Sequence, residues 1–181
     1  MFQFLRWIVE TQAWVVKEHS GGLEKCKAAG SITARLVLIW APIMCFPQWV
    51  GGLFFGALYG SREAFAIFGA RMAAMCIVRK MDAHIPCTRA LGLCHLLTFG
   101  PILPWLASRP MSGDRVLDAF LSFEVRVISL CLFLDARDLL LHCLGFPFPC
   151  YIREGVRGGK LDIADTRAKL PVTLRSCLLG P

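Results

Sequence analysis

The chain has 181 residues, of which 56 % belong to the set Ala, Val, Ile, Leu, Met, Phe, Trp, Tyr and Cys and only 18 % are charged. Soluble globular proteins carry about 25 % charged residues, so there is too little charge here to cover a water-facing surface, and disorder is excluded for most of the chain because it requires low hydrophobicity. Twenty Lys and Arg against thirteen Asp and Glu leave a net charge of +7. That charge is scattered through short segments rather than gathered into a stripe, which fits anionic lipid headgroups better than nucleic acid. Composition therefore predicts an integral membrane protein, long enough for about three to five bilayer-crossing helices.

In chain order, residues 2–18 have the pattern of an amphipathic helix. Phe4, Leu5, Ile8, Val9, Val15 and Val16 share one arc, and Gln3, Arg6, Glu10 and Lys17 share the other. Trp7 and Trp14 lie at the border of the two arcs, where an indole can keep one side apolar and its N–H in water. A helix lying in the membrane interface is expected, anchored by these two rings and ended by Ser20-Gly21-Gly22. No secretory signal peptide is evident, because a basic start followed by a small-residue cleavage site is missing.

Residues 36–60 carry no charge. As a helix they would extend about 37 Å, against about 30 Å of bilayer hydrocarbon. Pro42 and Pro47 each remove a backbone donor, so a kink is expected, with a re-entrant hairpin turning at Phe46-Pro47 as the alternative. Residues 64–78 form a shorter apolar stretch with Arg71 near its middle. Residues 90–108 form a third, broken in its second half by Pro101 and Pro104, with Trp105 as an interface anchor. Residues 114–145 read as one long helix ended by Phe146-Pro147-Phe148-Pro149, and 125–152 is the fourth candidate span. The remainder, 153–181, is a polar, irregular tail.

With these spans, segments 1–35, 79–89 and 153–181 hold five, three and six Lys and Arg, against one and two in 61–63 and 109–118. The positive-inside rule counts these residues, and every rich segment falls on one side. The expected fold is all-α and membrane-embedded, with an interfacial N-terminal helix, three or four transmembrane helices and both termini on the same face.

Three constellations could carry function. Gly52, Gly56 and Gly60 recur every four residues and line one helix stripe. In lipid, helix association depends on close backbone approach, which glycine permits. Gly69 and Ala73, together with Ala66, Ala70 and Ala74, offer a matching small surface, so 36–60 and 64–78 are expected to form a tight helical hairpin closed at Ser61-Arg62-Glu63. The second constellation is an eleven-residue echo, Glu124-Val-Arg126 and Asp135-Ala-Arg137. Eleven residues make close to three helical turns. Arg126 and Arg137 therefore share one face, and Glu124, Asp135, Asp138 and His142 share another. Charges at membrane depth are costly and face a partner or a water-filled path. Arg71 poses the same question: it either snorkels toward an interface or pairs with a carboxylate, for which Asp135 and Asp138 are the candidates. The third constellation, Cys94-His95 with His142-Cys143, has ligand chemistry but matches no zinc or haem spacing. A His95 satisfied inside a bundle is the plainer expectation, and no cofactor or metal is expected.

The nine cysteines are odd in number, include no CxxC pair and sit mostly in apolar runs, as buried thiols acting as small hydrophobes would. GxSxG, HExxH, GxxxxGKS/T and GxGxxG are all missing. The expected function is that of a non-catalytic accessory subunit of a larger membrane complex, with other membrane subunits and lipids as partners. An energy-transducing complex of the mitochondrial inner membrane, a respiratory-chain enzyme or ATP synthase, is the expected host. The alternative is a small transporter or channel whose polar path runs through Arg71, Asp135, Arg137, Asp138 and His142.

Overall fold

The computed structural model describes Arg6 and residues 32–84 and 89–145. The interfacial helix expected at 2–18 with Trp7 and Trp14, the tail 153–181, Cys87, Cys150 and the stop at 146–149 lie outside these residues, Arg6 apart. Every regular element among the described residues is a helix, and they contain no strand.

The charge-free run is a single helical rod in three parts: α1 (Ile32–Phe46), one turn of π-helix (Pro47–Gly51) and α2 (Gly52–Tyr59). Phe46 and Gly52, which flank the π turn, both keep right-handed helical torsions. The chain therefore runs straight on at Phe46-Pro47 rather than turning back as a hairpin. The wider π turn absorbs the donor that Pro47 lacks, and such turns frequently mark functional positions. Within this rod, Arg35–Tyr59 is long and apolar enough to cross a bilayer.

Gly60 ends the rod in the left-handed conformation, φ +63°, which an L side chain rarely adopts. Ser61 then caps α3 (Arg62–His84): the Ala64 N–H donates to Ser61 Oγ at 3.2 Å, and Ser61 Oγ donates to Glu63 Oε2 at 3.0 Å. The α2–α3 hairpin is thus closed at Gly60 and Ser61, and α3 starts two residues before the expected 64–78 and runs six residues beyond it.

The stretch expected at 90–108 is not one rod. It comprises a 3-10 turn (Arg89–Gly92), α4 (Leu93–Phe99) and α5 (Leu103–Ser108). Helix α4 ends just ahead of Gly100-Pro101, and Pro104 falls at the start of α5, where a missing N–H costs nothing. Asp114 caps the long α6 (Arg115–Cys143), its Oδ1 accepting from the N–H groups of Val116 and Leu117 at 2.9 Å each. Such a cap stabilises a helix by about 1 kcal/mol.

The core lies between α3, α4, α5 and α6 and is built from Ile67, Ala70, Ala74, Cys94, Phe99, Leu106, Leu117, Leu121, Ile128 and Leu132. The rod joins it through Phe55, which stacks on Phe120 with ring centroids 4.7 Å apart. Its outer side is uncovered: Ile32, Leu36, Ile39, Ile43, Phe46, Val50 and Leu53 are all exposed. They recur at alternating steps of four and three residues, a continuous apolar stripe about 32 Å long.

At the corner before α6, Asp118 accepts from Arg109 Nη1 at 2.8 Å and from the N–H groups of Ser112 and Gly113 at 3.0 and 3.2 Å. The Ser112 N–H first, and the Arg109 guanidinium next, hold this carboxyl down at about 2, against about 4 in an unfolded chain. A depressed value means that the corner's stabilisation is complete above about pH 4 and is lost as pH falls toward 2. The protection of the Ser112 and Gly113 amides against exchange, relative to an unstructured peptide at the same pH, should fall over that window, and Asp118→Asn should abolish that pH-dependent loss.

A candidate site in the bundle interior

Polar side chains from five elements meet inside the bundle. Arg71 comes from α3 and is buried, because its place on the helix faces α4. Its Nη1 lies 3.5 Å from His95 Nε2, and His95 Nδ1 lies 2.9 Å from Asp135 Oδ2 on α6. A guanidinium can only donate, so Nε2 accepts and the Nδ1–H donates to the carboxylate. The candidate pairing of Arg71 with Asp135 is therefore indirect, with His95 between them. Arg71 also stands beside Cys45 of α1.

One turn further along α6, Asp138 takes a different partner. Arg89, in the 3-10 turn, places Nη1 at 3.1 Å from Asp138 Oδ1. Arg89 is nearly enclosed, whereas Asp138 is 37 % exposed, so this pair opens toward the C-terminal end of α6. The turn can approach because residue 92 is glycine: a Cβ there would sit 2.9 Å from Asp135 Oδ1 and 3.1 Å from its Cα.

Toward the N-terminal end of α6, Glu124 is fully buried and Gln48, in the π turn, is 2 % exposed. The Gln48 carboxamide stands beside the Glu124 carboxyl. Neither Glu124 oxygen, nor Gln48 Oε1, has a hydrogen-bond partner. Between this pair and the histidine lies a cavity of about 10 Å³, lined by Met44, Gln48, His95, Phe99, Ile128, Cys131 and Leu132. That is space for about one water molecule.

The eleven-residue echo is thereby resolved into two faces. Glu124, Asp135 and Asp138 turn toward the interior. Arg115, Arg126 and Arg137 are exposed; Arg126 has no partner among the described residues, and Arg137 lies 3.9 Å from Asp138. His142 is half-buried with Nδ1 unpartnered. It lies two turns beyond Asp135, the residue that holds His95, so the two histidines are not gathered into one ligand set. Among the described cysteines, Cys94 and Cys131 are buried, Cys45 and Cys76 half-buried, and Cys143 is exposed, unlike the buried thiol expected there.

The small-residue stripe also divides. Gly52 and Gly56 are buried against α3: a Cβ on Gly52 would meet the Ala64 carbonyl at 3.0 Å and Phe68 N at 3.1 Å, and one on Gly56 would meet the Phe65 ring at 2.8 Å. Gly60 serves the turn instead. Gly69 and Ala73 are exposed, with open space around Gly69. They do not pack on the glycine stripe, because α3 presents Ala64, Phe65 and Phe68 to α2 and positions 69 and 73 fall off that side.

Gln48, Arg89 and Gly92 are parts of the site that the sequence pattern did not single out. For Gln48 a signal exists: it is the one amide in the charge-free run 36–60. Comparison of the chain with protein-family models, with curated proteins and with solved structures finds no match.

Proposed function

We propose that the protein is an integral membrane protein that serves as a non-catalytic accessory subunit of a larger membrane complex. The observation that carries this reading is Arg126. It lies about 17 Å from the start of a helix about 44 Å long, on an uncovered face shared with Ser122, Ser129, Phe133 and Leu130. The apolar stripe of α1 and α2 is also uncovered, and its length matches the hydrocarbon thickness of a bilayer. A surface of this kind favours lipid. An arginine at that depth then needs a carboxylate or carbonyl partner, and a neighbouring subunit is the source we propose. Arg71, Arg89, Asp135 and Asp138, by contrast, find partners within the chain, which leaves the outer face of α6 as the surface for assembly.

Membranes solubilised in mild detergent and resolved on a native gel provide the test. The protein should migrate with a large assembly, and Arg126→Leu should release it while Arg115→Leu should not. Respiratory-chain and ATP-synthase complexes are the hosts to examine first. Migration of the wild-type protein as a monomer would contradict the subunit role.

A further inference from the structure

We infer that Glu124, beside Gln48, forms a proton-binding site within the bundle. The inference stands apart from the assembly role and rests on different residues.

The cluster is one proton short. Glu124 contributes two unpartnered oxygens and Gln48 a third, Oε1. Both side chains are enclosed. An ionised carboxylate buried without donors is strongly disfavoured, whereas the neutral acid brings an O–H of its own. Protonation thus supplies a donor for which Gln48 Oε1 is an unpartnered acceptor.

The charged and titratable groups around the site are accounted for element by element. Helix α1 presents Cys45, and α3 presents Arg71, which is directed at His95. Helix α4 presents His95, the 3-10 turn presents Arg89 held by Asp138, and α5 presents none. On α6 itself, Asp135 is taken by His95 and Cys131 lines the cavity, and α4 also carries the buried Cys94 thiol.

The cavity beside Gln48 is lined by apolar atoms, and Leu121, Leu117 and Leu106, all buried, stand toward the N-terminal end of α6. These surroundings offer the charged form of Glu124 little stabilisation.

Purified full-length protein in mild detergent can be treated with dicyclohexylcarbodiimide. This reagent takes up a protonated carboxyl across its N=C=N group and rearranges to a stable N-acylurea. Peptide mass spectrometry should place the adduct on Glu124 at neutral pH, with its yield falling to background in alkali and lost in Glu124→Gln. Infrared spectra of the unmodified protein give a readout that needs no variant: a protonated-carboxyl band at neutral pH that disappears in alkali. That band should be lost in Glu124→Gln and kept in Asp135→Asn. Absence of the band at neutral pH, or an adduct on Asp135 or Asp138 without one on Glu124, would overturn the proposal. So would protection of Glu124 by sodium ions at constant pH, which would make a metal cation the ligand.

Discussion

Gly52→Leu should unfold the α2–α3 hairpin or force it apart, at a cost of about 3 kcal/mol, the upper range for overpacking a tight contact. The reason is what a side chain would meet: the backbone of α3, at the Ala64 carbonyl and the Phe68 nitrogen. Neither can move without displacing the helix. Gly56→Leu meets only the Phe65 ring, and Phe65 is 46 % exposed, so the ring can swing outward and the cost should be about 1 kcal/mol. Gly69→Ala should act in the opposite sense and stabilise by up to about 1 kcal/mol, because the site is open and alanine is the better helix former. Thermal unfolding of the three variants in one detergent checks the order. Equal losses at residues 52 and 69 would show that glycine packing against α3 does not hold the hairpin.

The second large effect is expected at Asp135. Replacing it with leucine leaves the His95 N–H without an acceptor and Arg71 without the carboxylate behind that histidine. About 2–3 kcal/mol should be lost, the penalty for stranding a buried polar group. Asp135→Asn keeps an oxygen facing His95 and should cost less than about 1 kcal/mol. Asp138→Ala should also cost less than Asp135→Leu, since more than a third of that carboxylate is in contact with solvent and exposed pairs contribute little. Protease susceptibility in detergent, followed against temperature, ranks the three. An Asp138→Ala variant as damaged as Asp135→Leu would move the main anchor to the Arg89 pair.

Local chemistry explains which parts of this molecule were legible in the sequence. The long helix was legible as a single run over 114–145, although its cap, Asp114, was not singled out. The break within 90–108 followed from Gly100-Pro101, since proline removes a donor wherever it stands. The side of α6 that each charge occupies followed from the eleven-residue spacing, because three helical turns return a residue to the same face. Other features depend on what lies across the bundle. His95 and Asp135 are 40 residues apart and Arg89 and Asp138 are 49 apart, and nothing local selects those partners over Arg71. Gly69 and Ala73 fit a small-residue pattern, yet the rotation of α3 relative to α2 takes them out of contact. The π turn at Pro47 shifts the register of everything after it and brings Gln48 inside, a displacement that a uniform helical wheel does not contain.

The measurement that bears most directly on the molecule is the partition of the protein between membrane and water. The uncovered stripe from Ile32 to Leu53 should keep it in the pellet when membranes are stripped with alkaline carbonate, with release only by detergent. Recovery of the folded chain as a monodisperse species in detergent-free buffer would contradict the membrane assignment, and with it the assembly role proposed for Arg126.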